Sequence, residues 1–280
     1  MPIKQYKPVT KGRRISSVQD FSDITSQEPE KSLIKIRKNF AGRSNGKITV
    51  RHKGGGAKRY VRLVDYIRDK FDIPARVDSI EYDPSRGARL SLLVYKDGEK
   101  RYMIAPNGLN VGDTVVSSKE TAEIKPGNRL PLEKIPVGVT VHAVELEPGK
   151  GAQIGRGAGA LIQYMALEGN VATLRLPSGE VRNVPKSCAA TIGSVSNPDY
   201  HLVRYGKAGR MRHRGIKPTV RGKVMNPVDH PHGGGEGKHP IGMKFAKTKW
   251  GKHALGVKTR RKNRPSDRLI ITRRKSKKKK

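Results

Sequence analysis

Residues 88–105 read ARLSLLVYKDGEKRYMIA, two apolar runs separated by a short polar turn. The runs at 88–95 and 100–105 show rough apolar alternation and are rich in β-branched and aromatic side chains, which predicts two strands. Asp97-Gly98 between them is typical of a tight hairpin turn, because glycine readily adopts a positive φ. The stretch therefore predicts an antiparallel hairpin, and the sequence on either side extends the same pattern.

Further segments around the hairpin have a similar composition and are separated by turn residues. The predicted strands of this first set are residues 60–66, 75–83, 88–95, 100–105 and 113–117. Five short strands joined by turns favour a small closed barrel of the OB type.

A second set of strands follows the turn-rich segment 125–138. Its predicted members are residues 139–146, 160–168, 171–176, 180–185 and 191–196. This set predicts a second small barrel, SH3-like in size. Each barrel has only about 60 to 70 residues, a length at which burial is marginal, so packing on each other or on another molecule would help both.

Charge is segregated along the chain. The 280 residues include 59 Lys and Arg against 24 Asp and Glu, a net charge of +35. Residues 1–60 carry 15 basic and 4 acidic side chains, residues 61–200 carry 18 and 17, and residues 201–280 carry 26 and 3. The sequence therefore predicts a mainly β chain with four parts: a basic N-terminal extension (1–60), an OB-fold-like barrel (61–124), an SH3-like barrel (125–200) and a basic C-terminal extension (201–280).

Such an excess of positive charge indicates a polyanionic partner, and nucleic acid leads because phosphates bind Lys and Arg with release of counterions. A membrane partner is not expected, since no apolar run approaches the roughly 20 residues that span a bilayer. Cys188 is the only cysteine, which excludes a disulfide framework or a cysteine-based zinc site. The N-terminus lacks the apolar region of a secretory signal. We expect a reducing, cytoplasmic location.

The two extensions are predicted to be long and irregular. In the C-terminal extension, glycines are frequent and apolar residues are scattered singly, so burial cannot offset the entropy of ordering. The variety of residues in 201–260 favours a segment that folds only against RNA, whereas 273–280, RRKSKKKK, is predicted to be a disordered basic tail. Trp250 could anchor the extension to RNA or cap a small core of the extension.

Three glycine-rich stretches are candidate RNA contacts, and the first of them is a candidate phosphate contact. Residues 51–59, RHKGGGAKR, place three glycines between cations but lack the Gly-Lys-Ser/Thr ending of a nucleotide P-loop. Residues 149–159 are predicted to form a loop of the second barrel, packed on backbone or on RNA, with a purely structural long hairpin loop as the alternative. In residues 206–223, arginines occur at alternate positions, and arginine is suited to bidentate phosphate contacts and to base stacking.

The segment MNPVDHPHGGGEGK, residues 225–238, combines prolines that restrict φ with glycines that allow close approach. Asp229, His230 and His232 raise the alternative of a metal-dependent hydrolase. Their spacing matches no zinc motif, and the surrounding cations favour anions. We therefore expect no catalytic residue, metal or cofactor. A further alternative is a free RNA-binding module, such as an RNA chaperone or translation factor.

The predicted RNA-contacting residues come from these stretches. They are Arg51, Lys53, Gly54, Gly55, Gly56, Lys58, Arg59, Arg156, Arg210, Arg212, His213, Arg214, Lys217, Arg221, Lys223, Asn226, His230, His232, Gly233, Gly234, Gly235 and Lys238.

In its 225–238 segment, the sequence resembles the universal L-two family of large-subunit ribosomal proteins. Residues 217–223, 51–59, 81–109 and the GRGAG loop match that family in order. The resemblance implies an OB-fold domain, an SH3-like barrel and extensions that thread into large-subunit rRNA. It also implies a place near the subunit interface and the peptidyl-transferase region, with roles in subunit association, tRNA binding and peptide-bond formation.

The resemblance further implies neighbouring ribosomal proteins as partners, the small subunit across the interface and tRNA nearby. His230 corresponds to the histidine of the family's DHPH motif. Two departures stand out: Ala57 lies where the family pattern has histidine, and His213 lies where it usually has tryptophan. A bacterial ribosome is favoured over an organellar one.

Overall fold

The computed structural model describes residues 3–37 and 42–274. Residues 275–280 of the predicted basic tail lie outside the described residues. The strands are β1 Ile3–Gln5, β2 Ser17–Gln19, β3 Ile34–Ile36, β4 Arg43–Ser44, β5 Lys47–Ile48, β6 Tyr60–Arg62, β7 Ala75–Tyr82, β8 Arg89–Tyr95, β9 Lys100–Ile104, β10 Thr114–Val115, β11 Arg129–Pro131, β12 Thr140–His142, β13 Ile162–Glu168, β14 Val171–Arg175, β15 Val181–Pro185, β16 Ala189–Ile192 and β17 Ile270–Thr272.

Helical structure is sparse among the described residues. The α-helices are α1 Lys11–Arg14 and α2 Ala208–His213, and the 3-10 turns are Lys31–Leu33, Leu132–Lys134, Pro198–Leu202, Gly222–Val224 and Pro265–Asp267. In the part of the chain that the structure describes, no helix has both the length and the apolar character required to cross a bilayer. The prediction of a mainly β chain with irregular basic extensions is confirmed.

The predicted hairpin forms strands β8 and β9 of the OB-like sheet, whose strand order is β10-β7-β8-β9 with antiparallel neighbours. Gly98 has a φ of +81° in the turn, and its N–H donates to the Tyr95 carbonyl oxygen at 3.0 Å. Strand β8 is buried on both faces: Leu93 packs into one apolar cluster, and Leu90 packs into another that also contains Val195 of the SH3-like part. Burial on both faces explains why this strand is a nearly continuous apolar run.

Two predicted strands of the first set are shorter than the sequence indicated. The segment 60–66 is a strand only at β6, which pairs with β3 rather than joining the OB-like sheet. Val64 then makes a single parallel bridge to Tyr102 of that sheet. The segment 113–117 is a strand only at β10. The first set therefore contributes four sheet strands and one bridge.

The SH3-like part is a seven-stranded sheet in the order β11-β16-β12-β13-β14-β15-β17. Its core includes Leu130, Ile162, Leu174 and the buried Cys188. Burial raises the pKa of the Cys188 thiol to about 12, so the thiol stays protonated. Two of its strands, β11 and β17, were not predicted from the sequence, because β11 lies in a proline- and glycine-rich segment and β17 in the basic extension.

The segments 139–146 and 191–196 are also strands over only part of their length. Strand β12 ends at His142 because Ala143 has a φ of +48°, outside the β region. Strand β16 covers residues 189–192 and ends before Gly193, whose φ is +98°.

A buried ion pair fixes the loop after β12. Arg129 and Glu145 are each 3% exposed in their side chains and lie 2.6 Å apart. The Glu145 carboxylate also accepts the N–H groups of Gly149, Gly151 and Ala189. These hydrogen bonds satisfy the buried charge, and they hold the glycine-rich loop 149–159 against the body. Ala152 N–H also donates to the Tyr66 carbonyl oxygen at 2.8 Å, so this loop packs on neighbouring backbone as well.

His142 is a buried histidine beside two cations of the body. Its Nδ1 lies 2.9 Å from the Gly193 carbonyl oxygen. Burial, together with the charges of Arg68 and Arg129, lowers the pKa of His142 from 6.5 to about 4. The folded chain therefore holds this imidazole in its neutral form.

We predict an acid-sensitive contribution to stability from His142. The folded state binds a proton at His142 less readily than the unfolded chain does. The contribution of the neutral His142 ring to the free energy of unfolding is therefore fully present above pH 6.5 and is lost as the pH drops towards 4. The loss is on the order of 3 kcal/mol. Urea unfolding followed by circular dichroism should show a smaller loss in H142N over this interval. The exposed-histidine variant H201N should keep the wild-type dependence, and an unchanged profile in H142N would contradict the assignment.

The chain divides into two compact units. The first unit, among the described residues, comprises 3–37, 58–210 and 265–274, and contains both sheets described above. The described residues of the second unit, to which all counts for this unit refer, are 42–57 and 211–264. The division into compact units does not test the predicted domain boundaries at residues 60, 124 and 200, because a compact unit need not coincide with one domain. These boundaries stay predictions.

Candidate nucleic-acid interface

Two basic stretches that are far apart in the sequence meet in the second unit. Gly54 N–H donates to the Gly215 carbonyl at 2.9 Å, and Lys217 N–H donates to the His52 carbonyl at 3.0 Å. A Cβ atom on Gly56 would lie 2.8 Å from the Gly215 nitrogen, so this approach requires glycine. The glycine triplet 54–56 therefore allows the two backbone segments to pair within the unit. Arg51 and Lys53, which precede the triplet, remain exposed.

The same pairing includes both positions that depart from the family pattern. Ala57 N–H donates to the His213 carbonyl oxygen at 2.8 Å. This hydrogen bond joins main-chain atoms, so it does not depend on either side chain. Arg212, His213, Arg214 and Lys217 are exposed beside it.

Positive charge dominates the second unit. Residues 42–57 and 211–264 contain 19 Lys and Arg and only two acidic residues, Asp229 and Glu236. Most of these cations are exposed, including Arg51, Lys53, Arg221 and Lys238. A surface of this kind attracts phosphates and repels other cations.

The segment 225–238 closes into a tight loop. The Asn226 carbonyl accepts the N–H groups of Asp229 at 3.0 Å and His230 at 3.3 Å. Gly233 N–H donates to the His230 carbonyl at 2.8 Å, and Gly234 N–H donates to the Met225 carbonyl at 3.1 Å. Main-chain hydrogen bonds therefore define the loop, which has no strand or long helix.

His230 lies at the centre of this loop. It is 9% exposed and is the one buried residue among the described residues of the second unit. The space for its ring exists because residue 222 is glycine: a Cβ there would lie 2.5 Å from the imidazole. Burial, together with the nearby His232 ring and the cations Arg51 and Lys249, lowers the pKa of His230, which favours the neutral ring.

Two imidazoles link the loop to the next segment. His230 Nδ1 accepts the His232 N–H at 3.0 Å, and His232 Nε2 accepts the Lys247 N–H at 2.8 Å. The two ring centroids are 4.7 Å apart. The histidines therefore act as hydrogen-bond acceptors that join the 225–238 loop to residue 247.

This geometry weighs against a metal-dependent hydrolase centred on Asp229, His230 and His232. A neutral imidazole has one lone pair, and in both histidines the backbone N–H groups named above occupy it. Among residues 3–37 and 42–274, no group of three or more His, Cys, Asp or Glu side chains is arranged to hold a metal ion.

The glycine triplet 233–235 allows the loop to close. A Cβ on Gly233 would lie 2.2 Å from the Asn226 carbonyl oxygen, and one on Gly234 would lie 2.8 Å from Pro227 Cγ. Gly234 and Gly235 also have φ values of +89° and +79°, which side chains disfavour. In contrast, a Cβ on Gly237 meets nothing within 4 Å.

We predict that G233A weakens RNA binding and that G237A does not. The alanine at 233 must displace the backbone of Asn226, which distorts the loop and should reduce affinity roughly tenfold. The measurement is filter binding of the full chain to large-subunit rRNA transcribed in vitro. Equal affinities for the two variants would show that the loop conformation is irrelevant to binding.

Four of the predicted contact residues belong to the first unit instead. The Arg210 guanidinium carbon lies 4.9 Å from the Tyr6 ring centroid, and that of Arg156 lies 4.8 Å from the Tyr66 centroid. Lys58 lies over Tyr60. Arg59 donates to the Pro84 carbonyl at 3.4 Å. The remaining predicted residues share the second unit, so the structure brings most of the set together.

Sequence reasoning singled out Trp250 but missed the hairpin of residues 245–254 that carries it. Lys247 pairs with His253, and the hairpin they close carries Trp250. The signal that was available is the Lys-Trp-Gly-Lys stretch, in which glycine follows an aromatic residue between two cations.

Family models match most of the chain. The model described as "Ribosomal Proteins L2, RNA binding N-terminal domain" matches residues 30–117. The model described as "Ribosomal Proteins L2, C-terminal domain" matches residues 125–251. The chain belongs to the ribosomal protein L2 family.

Membership in the L2 family carries several conclusions. The chain is a ribosomal protein of the large subunit that binds rRNA and serves translation. The L2 family is one of structural RNA-binding proteins. The two L2 domains also agree with the OB-like and SH3-like parts of the structure. The C-terminal match extends beyond the SH3-like sheet into the second unit, up to Gly251.

Proposed function

We propose that the second unit is the main rRNA-contacting element of this chain, and that it folds fully only against rRNA. The observation that carries this proposal is the combination of 19 cations with one buried side chain in that unit. Like charges at this density repel one another, and a single buried residue cannot offset the entropy of ordering some 70 residues. Phosphates would remove the repulsion.

The predicted contact residues have distinct roles in this proposal. Exposed cations such as Arg212, Lys217 and Lys238 contact phosphates. The glycines of the two triplets let the backbone adopt its tight pairing. His230 maintains the loop shape as a neutral, buried ring, without catalysis of its own.

The finer location follows from the resemblance of residues 225–238 to the family signature. We place the chain near the subunit interface, with this loop directed towards the peptidyl-transferase region. There it supports subunit association, tRNA binding and peptide-bond formation by holding rRNA in shape. Its further partners are neighbouring ribosomal proteins and the small subunit, in a bacterial ribosome. The domain division at residues 60, 124 and 200 belongs to the same proposal.

We predict a steep dependence of rRNA affinity on salt. An interface that neutralises 6–10 phosphates loses about 10³ to 10⁵ in affinity between 50 and 200 mM salt. R212A and K217A should each reduce the slope of log K against log salt by about one. K125A removes an exposed cation of the first unit, paired with Glu123 and outside the predicted contact stretches, and should leave the slope unchanged.

Sedimentation separates this proposal from a free RNA chaperone or translation factor. A structural constituent stays with large subunits in stoichiometric amounts through a moderate salt wash on a sucrose gradient. Recovery of the chain at the top of the gradient, with full rRNA affinity in binding assays, would favour the free module instead.

A further inference from the structure

Trp250 lies at the tip of a short hairpin in the second unit. Thr248 N–H donates to the Lys252 carbonyl at 2.7 Å, and Gly251 N–H donates to the Thr248 carbonyl at 3.0 Å. Gly251 has a φ of +75°, which closes the turn. This turn holds the indole on a defined backbone.

The hairpin is fixed at its base. Ala254 N–H donates to the Ala246 carbonyl at 2.8 Å, and the rings of Phe245 and His253 lie 4.9 Å apart. Lys247, which pairs with His253, also donates its N–H to His232 as described above. The position of Trp250 is therefore linked to the 225–238 loop through hydrogen bonds.

The indole itself is exposed. Trp250 is 72% exposed, so it does not cap a core of the extension. The Arg51 guanidinium carbon lies over the ring, 5.8 Å from the centroid. Most of the indole surface is accessible to solvent. The exposed part of the indole is therefore open to a partner.

The surroundings of Trp250 select the class of partner. Lys249 and Lys252 flank the ring in sequence, and Arg51 lies above it. Lysines are depleted in protein–protein interfaces, whereas cations beside an exposed aromatic ring are the arrangement that binds single-stranded nucleic acid. The cations would hold phosphates on either side of a base that stacks on the ring.

We propose that Trp250 is a stacking platform for an unpaired nucleobase of rRNA, with Arg51 on the opposite face of the indole. This inference rests on the proposed rRNA interface and adds a base-contacting residue to its phosphate contacts. Stacking tolerates any base, because every base presents a π face. Trp250 therefore captures a base that is not paired, whatever its identity.

The test uses the emission of the full-length chain, in which Trp250 is the sole tryptophan. Large-subunit rRNA transcribed in vitro is titrated into the protein, and filter binding on the same samples gives the bound fraction. We expect the emission to be quenched in proportion to the bound fraction. Binding without quenching would overturn the stacking proposal while leaving the rRNA interface intact, and a chain that does not bind rRNA would overturn both.

Variants provide a second readout. W250L should lower rRNA affinity roughly tenfold with an unchanged salt slope, and W250F should stay within about threefold of the wild type. L255A, which trims another exposed apolar side chain of the same unit, should bind as the wild type does. Equal affinities for W250L and the wild type would overturn the proposal, as would a protein partner that covers the ring in assembled subunits.

Discussion

The dominant constraint on this chain is electrostatic: 19 cations share a unit with two acids and a single buried side chain. Hydrophobic burial, the main favourable contribution to folding in most domains, is nearly absent there. The unit instead depends on main-chain pairing between residues 51–57 and 213–217 and on the acceptor chain from His230 through His232 to Lys247. These contacts specify a shape but leave the charge repulsion unopposed, so polyanionic rRNA becomes part of what stabilises the fold.

The first unit obeys ordinary packing rules by comparison. Its two sheets bury apolar clusters, and strand β8 is covered on both faces. Two of its buried charges have well-formed partners: Glu145 contacts Arg129 and three backbone donors, and Arg89 donates to Asp23 and Gln19 of the N-terminal segment. The near-balanced charge of residues 61–200 therefore reflects a body that stabilises itself. The first unit is stabilised by its own packing, whereas the second unit is highly charged and has almost no core. This combination suits a protein whose role is to bind and order RNA.

Sequence reasoning reached the fold class because its signals are local. Asp97-Gly98 indicated the hairpin, and alternation indicated most of β7 to β9 and β13 to β15. Strands β11 and β17 were not predicted, because pairing with a neighbouring strand, rather than their own composition, makes them strands. The joining of residues 51–57 with 213–217 escaped for a related reason: main-chain hydrogen bonds across some 160 positions leave no periodicity. Burial of His230 depends on the missing side chain of Gly222, a relationship that spacing alone does not reveal.

The most direct test of the central claim is amide hydrogen exchange of the full-length chain, free and bound to large-subunit rRNA. The account predicts slow exchange in both states for amides of β8, such as that of Leu93. Amides of Gly54, Gly233 and Lys247 should exchange rapidly in the free protein and become protected when rRNA binds. Strong protection of those amides in the free protein would contradict the claim, because it would show that the second unit is stable without a polyanion.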